Sequence, residues 1–211
     1  CFIRKMNAGL QYSNKWNDKQ TLNLSPKYNS QIYNNNEQRY TESYYPNDTV
    51  LIDRSATKTY VNRYNFKTTA SYEVKLDSNN TIKFTAKANF YDTQSEENRV
   101  STGTSTTETL KNSVDRSLKT DNSKQSLFGS LLFKHRFKKA RRTLSLNTDW
   151  NSLTQEGTSF LKSFNQAYFD GIPASVQNIN QQKNTDKSNQ WISARIVYTE
   201  PLSKKYSLEL A

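Results

Sequence analysis

The sequence predicts an all-β chain: an antiparallel, up-and-down sheet of about eight strands that forms part of a larger transmembrane β-barrel. Three observations predict it. Apolar and polar residues alternate with period two over long stretches. One of the two resulting registers carries no charge. Tight polar turns recur about every 61 residues, near 18, 78, 139 and 202. The composition alone is ambiguous. Hydrophobic residues make up only 33% and mean hydropathy is −0.95, against roughly 45–50% apolar for a soluble globule. A deficit of that size points to disorder, but 13 Tyr and 10 Phe do not suit a disordered chain. A strict pattern reconciles the two.

The elements follow in order. Met6, Ala8, Leu10 and Tyr12 lead to Trp16, a turn at Asn17–Lys19, and a return through Leu22, Leu24, Pro26 and Tyr28. Pro26 lacks the N–H that a ladder needs, so pairing should loosen there. From Tyr64 the even positions Phe66, Thr68, Ala70, Tyr72, Val74 and Leu76 oppose Asn65, Lys67, Thr69, Ser71, Glu73 and Lys75. The polar cluster Asp77–Asn80 turns the chain. Ile82, Phe84, Ala86, Ala88 and Phe90 then continue the apolar face. Leu127, Gly129, Leu131, Phe133, His135 and Phe137 form the next strand. After the basic turn 138–142 come Leu144, Leu146, Thr148 and Trp150, and later Ile192, Ala194, Ile196 and Tyr198. The turn at 200–204 leads into Tyr206, Leu208 and Leu210. Between these hairpins lie stretches rich in Asn, Ser and Thr at 34–58, 92–122 and 155–188, expected as long loops, with strand pattern partly persisting at 158–169. Short turns at one end and long loops at the other is the layout of a membrane barrel.

The charge distribution separates the faces. Over 64–76, 82–90, 127–137, 144–150 and 192–198 the apolar register holds 26 positions and no Asp, Glu, Lys or Arg. The other register holds nine: Lys67, Glu73, Lys75, Lys83, Lys87, Lys134, Arg136, Asp149 and Arg195. A Lys or Arg facing lipid at midplane costs about 2–4 kcal/mol, so the exclusion fits a bilayer. A lipocalin-type barrel has the same alternation with its apolar face inward, but Ala70, Ala86, Ala88 and Gly129 would fill a packed interior poorly. Trp16, Tyr72, Trp150 and Tyr198 suit interfacial belts. The chain opens at Cys1 and stops at Ala211 within a strand pattern, so 1–211 reads as one domain, incomplete at both ends. Cys1 is read as an arbitrary cut rather than an acylation site. Because backbone groups in hydrocarbon must all be paired, more strands are expected to close the barrel.

The stretches YEVKLDSNNTIKFTAKANF (72–90), FKKARRTLSLN (137–147) and VYTEPLSKKYSLEL (197–210) resemble the outer-membrane β-barrel family of Bacteroidetes, whose members look like TonB-dependent receptors. The resemblance covers essentially the whole chain, most firmly 60–211. It implies a barrel of about twenty or more strands that takes up or binds a nutrient at the cell surface. It also implies a TonB-type energising complex that acts through parts of the protein outside this chain, such as a plug. It carries no catalytic motif.

The residues themselves give no enzyme, metal or cofactor site. No G-x-S-x-G is present. His135 sits among Phe133 and Phe137 and reads as an interfacial side chain. One Cys and one His cannot form a soft-ligand metal cluster, and Glu96, Glu97 and Asp115 read as solvated. The +11 charge follows strand parity, which argues against nucleic acid. Lys138, Lys139, Arg141, Arg142, Lys204 and Lys205 cluster at the short turns and should meet lipid phosphates and lipopolysaccharide. Lys67, Lys83, Lys87 and Arg195 would give a basic lumen that attracts anionic solutes. Aromatic groups at Tyr40, Tyr44 and Tyr45 beside Arg39, and at Phe160, Phe164, Tyr168 and Phe169, suit ligand capture. The candidate contacts to an unknown small ligand are Tyr44, Tyr45, Lys67, Lys87 and Arg195. A non-transporting surface barrel, adhesive or structural, and a soluble small-molecule-binding barrel are the alternatives.

Overall fold

The computed structural model describes residues 1–46, 49–203 and 205–211. They form one antiparallel sheet with consecutive strands as neighbours and no helix. β1 (Phe2–Gly9) and β2 (Tyr12–Trp16) both pair with β3 (Gln20–Tyr45). They keep one register, Ala8 opposite Tyr28 and Tyr12 opposite Leu24, so they are one strand split at Leu10–Gln11. Pro26 explains the split. The Leu10 N–H donates to the Pro26 carbonyl at 3.0 Å, so Pro26 directs its backbone polar groups toward Leu10 and offers no N–H in return. The sheet continues through β4 (Thr49–Lys75), β5 (Asn80–Thr104), β6 (Leu110–Arg136), β7 (Thr143–Phe169), β8 (Ile172–Pro201) and β9 (Ser207–Leu210). Counting β1 and β2 together gives the eight strands expected.

Three short turns fall where the sequence placed them, at Asn17–Lys19, Leu76–Asn79 and Phe137–Arg142, and the fourth is displaced, because Glu200 and Pro201 still belong to β8 and pair with Leu208 and Ser207 of β9. The basic-turn residue Lys204 lies outside the described residues. Asp77 builds the second turn: one carboxylate oxygen accepts the N–H groups of Asn79 (2.6 Å) and Asn80 (2.7 Å), and the other accepts the Asn80 side-chain amide at 2.7 Å.

The expected long loops are corrected. Among the described residues strands fill 34–45, 49–58, 92–104, 110–122, 155–169 and 172–188, with Tyr45 paired to Thr49 and reversals at 105–109 and at Asp170–Gly171. Polar residues on both faces do not break a strand when both faces are hydrated, and Thr, Tyr and Val favour extended backbone. The Asp-Gly tip has both φ angles positive, 51° and 78°, as a two-residue hairpin requires. β4 is therefore 27 residues long and β8 is 30, roughly 90–100 Å at strand rise.

The sheet is a single layer and is not closed. β8 pairs with β9 only from Tyr198 to Pro201, which leaves its edge from Ile172 to Val197 without a strand partner among the described residues. No hydrophobic residue is buried among the described residues. Phe66, Phe84 and Ile196 are 39%, 47% and 59% exposed.

Candidate functional site

Register turns the periodicity of single strands into two continuous surfaces. Leu24, Ala70, Ala86, Gly129, Trp150 and Ile192 stand in one cross-strand row, and Leu22, Tyr72, Phe84, Leu131, Thr148 and Ala194 in another. The apolar register thus forms one uninterrupted band from β3 to β8. Its centre is lined with small residues: an added Cβ at Gly129 would meet only Trp150 Cε3, at 3.7 Å. Aromatic residues gather toward its borders, with Tyr64, Phe66, Phe90 and Trp150 at the upper one and Trp16, Phe137 and Tyr198 near the short turns. Tyr72 lies within the band rather than at a border. His135 lies on this surface, its Nδ1 2.7 Å from Asn80 Oδ1 and its ring edge-on to Phe137.

The band crosses the strands obliquely. Phe90, Gln125, Thr154 and Ser188 share one row. Yet the last apolar residue is Phe90 on β5, Leu127 on β6, Trp150 on β7 and Ile192 on β8. The border falls by four residues over three strand steps, about 14 Å down for about 14 Å across, a slant of about 45°. The lower border is uneven: it falls from Leu22 on β3 to Leu208 on β9, but Leu76 on β4 already lies beside Asn80, in the row of His135, Leu144, Tyr198 and Leu210. Measured perpendicular to the 45° slant of the upper border, the band is about 19 Å tall on β5 and about 24 Å across Leu127–Phe137. Charge returns along a single row, with Asp92 next above Phe90 on β5 but Glu156 and Asp186 six residues beyond Trp150 and Ile192.

The opposite face is cationic. Across the same rows it carries Lys27, Lys67, Lys75, Lys83, Lys87, Lys134, Arg136 and Arg195 against Glu73 and Asp149. Lys27 stands directly opposite Lys67, a like-charge pair that a ladder tolerates only with hydration or a counter-anion. Apolar residues interrupt this face at Phe128, Leu132, Leu153, Trp191 and Val197. Phe128 and Trp191 flank Asn151 in the row of Lys87, whose Nζ lies 5.2 Å from the Phe128 ring centre. That cation–π contact was invisible in sequence until the register joined β5 to β6.

Of the candidate residues, the structure brings together only Lys67 and Lys87, diagonal neighbours on the cationic face through the Lys67–Asn89 and Thr69–Lys87 pairs. Arg195 lies on the same face opposite Asn147, three strands from Lys87. Tyr44 and Tyr45 stand at a hairpin tip, about 60 Å along the strands from Lys67, and point to opposite faces. They do not form one site with the lysines. Tyr40 and Tyr44 instead donate to the two oxygens of Glu42, Tyr44 at 2.7 Å. These bonds hold the Glu42 carboxyl below its ordinary pKa, Tyr40 contributing most. The cation over Tyr40 is Arg54, 5.5 Å from the ring centre, not Arg39, which pairs with Glu37 at 3.1 Å. Glu96 pairs with Lys119 at 3.3 Å, while Glu97 lies on the other face.

At the short turns, Glu200 gathers Lys139, Arg142 and Tyr198. Arg142 places two guanidinium nitrogens at 2.7 and 2.8 Å from its oxygens, and Tyr198 donates at 2.6 Å. Arg142 above all, then Lys139 and Tyr198, pull the Glu200 carboxyl down to about 2. Two of the cations expected at lipid phosphates thus share one carboxylate within the chain, which offsets one of their two charges.

No protein-family model and no curated protein matches the chain.

Proposed function

We propose that this chain is a wall segment of an outer-membrane β-barrel, TonB-dependent-receptor-like, that serves uptake or binding of a nutrient at the cell surface. The observation that carries the reading is the apolar band free of charge, whose upper apolar border is slanted. A single-layer sheet with no buried hydrophobic residue among those described needs an apolar environment for one face. A flat hydrocarbon slab cut by strands tilted about 35–45° would produce a band oblique to the rows by that angle. Its height, about 19–24 Å, is close to the roughly 25 Å of an outer-membrane barrel. In this reading further strands complete the cylinder, since an open edge in lipid leaves backbone groups unpaired. The cationic face lines the lumen, and lipid and lipopolysaccharide surround the band. Energy comes from a TonB-type complex through other parts of the protein.

The length of the strands favours a second reading. A span needs about 9–11 residues, whereas β3 to β8 run 25 to 30. The hairpins project far beyond the band and expose Tyr44, Phe169 and Ile172 at their tips, as an adhesive surface barrel would. Fractionation with heat-modifiable gel mobility tests both against a soluble barrel: recovery from the aqueous phase without detergent overturns the membrane reading. Energy-dependent accumulation of a nutrient separates transport from adhesion.

A further inference from the structure

On the cationic face, around the Leu76–Asn79 turn, the structure forms a hollow of about 500 Å³. Three strands build it. Glu73 faces Lys83, and Lys75 faces Thr81, which faces Lys134. Arg136 is anchored beside the turn by its N–H, which donates to the Asn79 carbonyl at 2.8 Å. The lining holds four cations, Lys75, Lys83, Lys134 and Arg136, and two carboxylates, Glu73 and Asp77. Asp77 is held in its own turn, both oxygens accepting from Asn79 and Asn80, and makes no direct contact with the cations. Among the described residues none of the four cations forms a salt bridge. The other basic cluster at this end of the sheet behaves differently, with Lys139 and Arg142 closed onto Glu200. Four cations against two carboxylates leave a net positive charge on a concave, polar surface. Such a surface attracts and orients multiply charged anions.

We infer that this hollow is a binding site for a compact polyanion, a small solute that carries two or more phosphate or carboxylate groups. The inference rests on the membrane-barrel reading only for the hollow's position at the lumen mouth. Lysine ammoniums from neighbouring strands can each take one oxygen, and Arg136 can take two from one acid group. Phosphate could also be offered by a lipid headgroup, so the lipid is varied in the test.

The full-length protein is inserted into phosphatidylcholine vesicles, and pyrophosphate binding is measured by titration calorimetry at low and high salt. Lys83→Gln with Lys134→Gln should weaken binding at least tenfold, and Lys83→Arg with Lys134→Arg should restore most of it. Lys183→Gln, on the same face far toward the hairpin tips, should change nothing. If Lys183→Gln weakens binding as much as the paired change, the effect is that of net charge and the site is overturned. Pyrophosphate binding abolished by phosphatidylglycerol in the vesicles assigns the hollow to lipid headgroups and overturns the solute. Insertion without pyrophosphate binding overturns this inference alone. Failure to insert overturns the barrel reading, and pyrophosphate binding by the detergent-solubilised protein then decides the hollow separately.

Discussion

Ala86 gives the sharpest test of which surface meets hydrocarbon. It is the middle residue of the β5 apolar segment Ile82–Phe90 and sits in a row between Ala70 and Gly129. Ala86→Arg places a guanidinium at the band's centre with only small side chains beside it. The expected cost is about 2–4 kcal/mol, a shift of about 30- to 900-fold in the folding equilibrium. Thr85→Arg adds the same side chain one residue away, on the cationic face, and should stay within about 0.5 kcal/mol as an ordinary hydrated substitution. Urea titration into phosphatidylcholine vesicles, with the folded fraction read from heat-modifiable mobility, measures both. Equal costs, or a larger cost for Thr85→Arg, would refute the assignment of faces.

Three further outcomes are expected. Ala88 and Gln190 share one row through Leu127 and Ser152, but the slant leaves Gln190 above the band, so Ala88→Arg should cost about 1–2 kcal/mol more than Gln190→Arg; equal costs mean a band parallel to the rows. The Glu200 clamp should depend on pH: with its carboxyl pulled down to about 2 from 4.5, its contribution is complete above about 4.5 and fades as pH falls toward 2. Amide exchange of Arg142 and Leu202 should quicken over that window, and Glu200→Gln should abolish the pH dependence. Gly157→Ala should destabilise by about 1–3 kcal/mol, because its Cβ would meet Asn122 Oδ1 at 2.9 Å and the Asp121 carbonyl at 3.1 Å, whereas Gly129→Ala, 3.7 Å from Trp150, should be tolerated in the same urea titration.

Strand existence, parity and the short turns were legible because the apolar register is strictly periodic and the turns carry Asp77-type side-chain acceptors. The lengths of the strands were harder to read. Beyond the band both faces are polar, so the period-two contrast that marks a strand disappears while the ladder continues. Asp170-Gly171 was the available signal, since that dipeptide ends a two-residue hairpin and implies paired strands on both sides. The Pro26 effect was legible as a weakened ladder, though only pairing shows that it divides the neighbouring strand. The candidate site was legible as a set of lysines on one parity. Register decides which residues meet, as with Lys87 over Phe128, Lys27 opposite Lys67, and the hollow at Lys83 and Lys134. Tyr44 and Tyr45 share a composition with binding loops, but the extended hairpin carries them about 60 Å along the strands from Lys67.

The most direct test is the accessibility of single spin labels placed along β5, β6 and β8 of the Cys1→Ser protein in vesicles, read with oxygen and with a water-soluble nickel chelate. Labels at 84, 131 and 196 should relax with oxygen and resist nickel, while labels at 83, 132 and 195 should do the reverse. Position 132 is decisive because Leu132 is apolar yet stands in the cationic register. Nickel contact at 84, 131 and 196, or oxygen preference at 132, would contradict a lipid-facing band.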